Sequence, residues 1–549
     1  MKIDEEGHKR AKRMVASMAD ARQPWNSFWK DLAEYVLPRR YVELERRSQG
    51  KVTQLRNSSI LDGTGTIAVN TCASGMLNGI TSPARPWFKL RNQGDFDNSS
   101  MQLWLDDCSE RLAFALSESN FYNAMGTLYG DLSCFGTSVC LIYEDDDTIF
   151  RFYNLAVGEY CIAQNERGIV DRISFFYIWR VEQVVGRFGL ENCSQRVKEA
   201  WKAGGARLND EVKIWCLLEP NAEDALRVAR VHKFRIMCWE DTANGELLEH
   251  AGFREWPATA TRWAVLGNDT YGTSPTADAL GDIKQLQLMT KRKAQAMDKM
   301  VSPPLIADTS LQHRPTAILP NGITYVNNLA NNPGARPLYQ IQPPLGEMSA
   351  DIAQIQARIR EFLFNDLFKM ISQLDTVRSA REIDARVEEK LVLLGPVLER
   401  FGNEALDVVL FRCFSIMMRK GLFLPPPPEQ DAAVNIQYVS ILHDAQRAVG
   451  AAPVERYVSF IGNLIAVAPE VGDVPNWTTM TLDYANRLGI PAKDNYTMDE
   501  IAAKRQAREQ QEQQAAMAES APGMAQAAKN LSETQVGGAG DALSLMLGG

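Results

Sequence analysis

The chain has 549 residues, 45% of them hydrophobic and 23% charged, which is ordinary for water-soluble protein and ample for several domains. A net charge of −9 excludes a protein that grips DNA over a broad basic face, but not one that lets DNA slide past. No uncharged apolar run approaches the roughly 18 residues of a membrane span, and the start Met1-Lys2-Ile3-Asp4 has no apolar segment of the secretory kind. The charge is uneven: residues 1–56 carry net +5 and the remainder −14. That excess suits either an acidic partner or a solvated helix face. Nine cysteines are scattered singly with no CxxC, a pattern of reduced core thiols in a cytosolic protein.

In chain order, residues 8–36 predict helix, with Pro24 expected to break it and Pro38 to end it. A polar loop follows to Ser59. Asp62-Gly63-Thr64-Gly65 leads into a helix over 66–77, which Asp62 or Thr64 could cap. Ser82-Pro83-Ala84-Arg85-Pro86-Trp87-Phe88 is an aromatic stretch between prolines. Helices are predicted over 100–119 and 121–131. The period then changes to two, and strands are predicted over 137–143, 149–153, within 158–180, and over 211–219, 228–239 and 263–266. Short helices over 181–188 and 191–203 interrupt them, giving an α+β block with a mostly antiparallel sheet.

Ser274-Pro275 is a helix start signal. Behind it the apolar residues Leu280, Ile283, Leu286, Met289, Met297 and Met300 predict a helix over 277–300, ended by Pro303-Pro304. A segment rich in Pro, Asn and Gly reaches about residue 346. A second periodic run over 349–371 includes Ile352, Ile355, Ile359, Phe362, Leu363 and Leu367. Each helix would be roughly 30 Å long, so the pair makes a stalk with a tip. A third helix is expected from about residue 380 to Met417, kinked at Gly395-Pro396 and stopped at Arg419-Lys420-Gly421. Pro425–Pro428 reads as a stiff linker. A strand at 435–439 and helices over 443–466, 477–488 and 498–518 follow, and the last thirty residues read as a tail.

No stretch carries a catalytic signature, so no enzymatic activity and no cofactor are expected. Gly63-Thr64-Gly65-Thr66-Ile67-Ala68 fits G-x-G-x-x-A by letter. It lacks the preceding strand, and the position twenty residues on is Phe88, not the acid a ribose needs. A glycine turn before a packed helix is the plainer reading. Glu144-Asp145-Asp146-Asp147 could hold a divalent cation or could be a solvated turn. Lys284, Lys291, Arg292 and Lys293, with Lys299, give the first stalk helix a basic side, open to DNA, to an acidic partner or to solvent. Trp87 and Phe88, held by Pro83 and Pro86, read as packing anchors rather than a base-stacking platform.

Several stretches, in order, resemble the portal (head-to-tail connector) proteins of short-tailed phages: Tyr35-Val36-Leu37-Pro38-Arg39, Asp62-Gly63-Thr64-Gly65, Ser82 to Leu90, Asp282-Ile283-Lys284-Gln285-Leu286 with Pro303-Pro304-Leu305, Ser379-Ala380-Arg381-Glu382-Ile383, Leu394-Gly395-Pro396-Val397, and Arg419 to Pro425. Ser379 stands where the family usually has Thr. The resemblance implies a mainly helical portal fold, and a homo-oligomeric ring, typically a dodecamer, at one capsid vertex, assembled in the host cytoplasm and carried in the virion. Double-stranded DNA would pass through it, with no membrane involved. It implies a wing (1–275), stem helices (277–300 and 349–371), a clip (301–348), a tunnel loop (372–379) with Arg378 toward DNA, a wing helix and linker (380–429), a crown (430–520) and a tail (521–549). Implied partners are the terminase large subunit, a head-tail adaptor, and the major capsid and scaffolding proteins. Two other readings stand beside it: another head-tail assembly protein such as an adaptor, and a soluble enzyme with a helical insertion.

Overall fold

The computed structural model describes residues 5–40, 59–92, 99–221, 232–242, 245–303, 305–306, 336–337, 343–373, 385–425, 434–438, 457–465, 468–487, 500–508 and 510–511. The expected tunnel loop with Arg378, most of the clip and the C-terminal tail lie outside them. The fold is α+β, mostly helical, with antiparallel sheets. The described chain divides by its contacts into two units, one reaching to residue 449 and one beginning at residue 450.

In the first unit, α1 (Glu5–Tyr35) is one helix, with Pro24 inside it rather than at a break. Proline removes a single hydrogen bond, and here it does so on the exposed side. Both flanks are seated. Trp29, Leu32 and Ala33 enter the main core, while Ala11, Val15 and Met18 pack with Leu217, Met237 and Trp239 in a second cluster. Arg22 donates to the carbonyls of Gly158 and Tyr160 (2.9 and 2.8 Å), fixing the middle of the helix. Helix α2 (Thr64–Ile80) contains no charged residue and is buried along most of its length. Strand β1 (Phe88–Asn92), α3 (Ser99–Glu118) and α4 (Phe121–Phe135) follow.

Strands β2 (Thr137–Asp145), β3 (Ile149–Leu155), β4 (Tyr160–Gln164) and β5 (Val170–Arg180) lead to α5 (Val181–Phe188) and α6 (Gln195–Ala203). Then come β6 (Glu211–Pro220), β7 (Phe234–Glu240), β8 (Leu247–Phe253) and β9 (Ala258–Arg262). β4 to β8 form a five-stranded antiparallel meander, and β3-β2-β9 a three-stranded sheet. The strand predicted at 263–266 is instead β9, just upstream. Its small residues are all buried beside β2, whereas Leu266 stands 79% exposed next to a left-handed Gly267. β8 has no sequence counterpart: Leu247-Leu248-Glu249-His250 lacks the alternation of a strand and is recruited by pairing with β7.

Helices α7 (Pro275–Asp278) and α8 (Leu280–Val301) precede a two-residue antiparallel pairing of β10 (Leu305–Ile306) with β11 (Arg336–Pro337). The second stalk helix, predicted as one run over 349–371, is two: α9 (Leu345–Phe362) and α10 (Asn365–Gln373). Between them Phe364 takes a left-handed φ of 54°. That costly turn re-aims the chain so that Leu367 and Phe368 are buried, with Phe368 seated over Gly75 of α2. Helix α11 (Ala385–Phe401) continues through Pro396. Irregularity comes later, as a π-helical turn at Gly402–Leu406 before α12 (Asp407–Arg419). β12 (Val434–Tyr438) pairs antiparallel with β1, within the first unit, although the sequence division started the crown at 430.

Arg262 joins three separate segments at the edge of this core. Its buried guanidinium donates to Glu404 in the π-turn (2.7 Å), to Gln164 Oε1 (3.0 Å) and to the Gly168 carbonyl (2.9 Å). The second unit holds α13 (457–465), a 3-10 turn at Pro469–Asp473, α14 (Trp477–Arg487) and a helix over 500–508. Among its described residues Ile461 alone is a buried hydrophobic.

Candidate functional site

The stalk is built on a start signal that works as the sequence suggests. Ser274 Oγ accepts from Ala277 N (3.1 Å) and donates to the Cys134 carbonyl (2.8 Å). Thr276 Oγ1 donates to the Ser133 carbonyl (2.7 Å), so the helix start is locked onto the end of α4. Gly136 and Gly272 cross there so closely that a Cβ on either would sit 2.4 Å from the other's carbonyl oxygen. From this footing α8 and α9 run antiparallel. Arg358 donates to Asp282 (2.9 Å) near the base, and Lys293 to Ser349 Oγ (2.7 Å) further out.

The glycine turn at 62–65 holds both helices. Buried Gln287 of α8 accepts from the backbone N–H of Leu61 and of Asp62 (2.7 and 2.8 Å) and donates to the Asp62 carbonyl (2.9 Å). The Asp62 carboxylate takes Thr64 N–H (2.8 Å) on one oxygen and Gln356 Nε2 of α9 (2.7 Å) on the other. Burial alone would raise its pKa. The Thr64 and Gln356 hydrogen bonds outweigh that and hold it below the ordinary carboxylate range. Asp62 therefore caps α2 and ties the two stem helices to it. Gly65 lets the Ile283 side chain lie against its backbone, at 3.4 Å from where a Cβ would be. The G-x-G-x-x-A letters thus mark a turn before a packed helix. Gln287 escaped the sequence reading, although a glutamine one position after Leu286 on the apolar stripe was the available signal.

The cations assigned from sequence divide into two sets. Lys284 is bound within the subunit, pairing with Asp31 (2.7 Å) and lying 5.4 Å from the centre of the Tyr35 ring. Lys293 is bound to Ser349. Lys291 and Arg292 are exposed. Arg378 lies outside the described residues. The acidic turn Glu144–Asp147 is clasped by the end of α12: Arg419 donates to Glu144 and to Glu255 (both 2.6 Å), and Lys420 to the Asp145 carbonyl (2.9 Å). Beneath it the buried Arg412 donates to the Ile142 carbonyl (3.0 Å). Burial lowers its pKa, with Glu255 and Glu144 opposing that.

Trp87 and Phe88 are buried. Trp87 stacks on Phe121 with ring centres 5.7 Å apart and donates to Tyr122 Oη (3.3 Å). Pro83 and Pro86 flank them at the surface. Gly395 is half-buried and Pro396 exposed, both inside α11. The turn of the third helix therefore owes less to this pair than to the π-turn that follows. That turn brings Glu404 to Arg262, a partnership with no signal in the sequence.

Residues 8–494 match a family described as bacteriophage head to tail connecting protein. The chain is 34% identical over 534 residues to the portal protein of Salmonella phage epsilon15, covering 95% of both chains. It is 35% identical over 506 residues to the probable portal protein of Bordetella phage BPP-1, covering 90% of both. With an antiparallel helical stalk rooted in an α+β body and likeness along nearly its whole length, the chain belongs to the bacteriophage head-to-tail connecting, or portal, protein family.

Proposed function

We propose that this chain is the subunit of a ring that forms the DNA channel at one vertex of a phage capsid, serving packaging and later ejection, with no catalysis of its own. The observation that carries the reading is the stem: two long antiparallel helices knotted at their base to Asp62, in a chain whose family match spans residues 8–494. Twelve copies is the expected count. In this reading residues 1–275 and 380–429 form the wing, 277–300 and 349–371 the stem, 301–348 the clip, 372–379 the tunnel loop and 430–520 the crown. The clip docks the terminase large subunit during packaging and a head-tail adaptor afterwards. Capsid and scaffolding proteins surround the vertex. An acidic chain suits such a channel, because a basic lining would hold phosphates and resist sliding. The test is negative-stain microscopy of the purified protein with its mass in solution. A radial ring with a central hole, of mass near twelve chains, is expected. A monomer that stays single with scaffolding protein present would overturn the reading.

A further inference from the structure

The two outer faces of the stem hairpin carry opposite charge. On α8, buried Ile283 and Leu286 and the Ser349-bound Lys293 mark the inner face. At 3.6 residues per turn, the opposite face is Leu288, Arg292, Gln295 and Lys299, spaced four, three and four apart and all exposed. On α9, buried Ile355 and Ile359 with Ser349 mark the inner face. Its opposite face carries Glu347, Ala350, Gln354, Ala357 and Glu361, again all exposed. Arg358 and Asp351 border that stripe on one side, where Arg358 is held by Asp282 of the same subunit, and Arg360 borders it on the other. Because Lys293 meets Ser349, Arg292 stands within about one turn of the level of Glu347.

These stripes point away from each other, so one subunit cannot pair them. Two copies side by side can, with α8 of one against α9 of the next. The contact is heterologous, so it repeats around a ring and leaves no end unused. Ala350 and Ala357 keep the acidic face low enough for a second helix to approach. We propose that Arg292 and Lys299 of one subunit pair with Glu347 of its neighbour, so that the stem cations seal the ring. This rests on the ring reading above. Each exposed pair is weak alone, and repetition at every interface makes assembly sensitive to salt.

The test uses the full chain carrying Arg292→Cys with Glu347→Cys, treated with a short bismaleimide. All nine native thiols are buried and do not compete. A ladder of cross-linked species running up to the full ring is expected on a denaturing gel, with neither single variant going beyond a dimer. Arg292→Glu should raise the concentration for half-assembly about tenfold, and Glu347→Arg in the same chain should restore it. Rings of normal mass that give no ladder would overturn the proposal. So would Arg292→Glu rings that assemble normally yet package DNA poorly, which would assign Arg292 to DNA instead. A wild-type chain that forms no ring under any condition would remove the ring reading itself, and this proposal with it.

Discussion

At Arg262 one side chain decides how three segments meet. Its guanidinium reaches the β4–β5 hairpin and the π-turn before α12, and its backbone N–H donates to the same Glu404 carboxylate (2.9 Å). A planar guanidinium spreads five donors over a rigid fork, whereas an ammonium has three on a single atom and cannot reach acceptors so far apart. Arg262→Lys is therefore expected to cost about 2–4 kcal/mol, because one ammonium cannot reach Glu404, Gln164 and Gly168 together and a buried acceptor is left without its donor. Urea unfolding would read this as a lower midpoint with an unchanged slope, and an unchanged midpoint would show the fork to be dispensable. Nothing in Ala258-Thr259-Ala260-Thr261-Arg262 announces such a role. The arginine's partners come from positions about 100 residues before it and 140 after it.

At the level of elements, the close approach of α10 to α2 runs through Gly75. A Cβ there would lie 2.3 Å from the Phe368 ring. Gly75→Val should push α10 off α2 and cost about 1–3 kcal/mol or more, with hydrogen exchange rising across 365–373. Unaltered protection there would mean that the ring simply swings aside. The same helix pair explains what could be read beforehand. Long periodic helices, the Ser274 cap and the hairpin at 144–147 follow from local chemistry and stand as expected. The break at Phe364 does not, because a left-handed phenylalanine is tolerated only once Leu367 and Phe368 have somewhere to go. Pro24 misleads for the converse reason: local chemistry disfavours it in a helix, and two hydrophobic clusters, one on each side, override that. At the stem, the cations were visible but their partners were not. Asp31 lies 253 residues from Lys284, and no spacing rule spans that distance.

At the scale of the whole molecule, every thiol is interior. Burial pushes Cys72 and Cys140 up to about 12, so neither is a thiolate at neutral pH. The native protein should give close to none of its nine thiols to an aromatic disulfide reagent, and all nine once guanidinium has unfolded it. Rapid native labelling would expose an opening motion of the core. The pairing of β1 with β12 bears on how the molecule is made. Phe88 meets Tyr438, about 350 residues later in the chain. At the usual speed of a ribosome that interval lasts about 20–70 s. Throughout it β1 offers an unpaired edge, and the N-terminal helix waits for the β6 and β7 residues that bury it. Closure of this sheet is thus a late event in the synthesis of the chain. A nascent or truncated chain ending before residue 434 cannot finish its own sheet. Completeness of the chain is thus written into its fold: the edge of β1 stays open to other partners until the segment that covers it has been made.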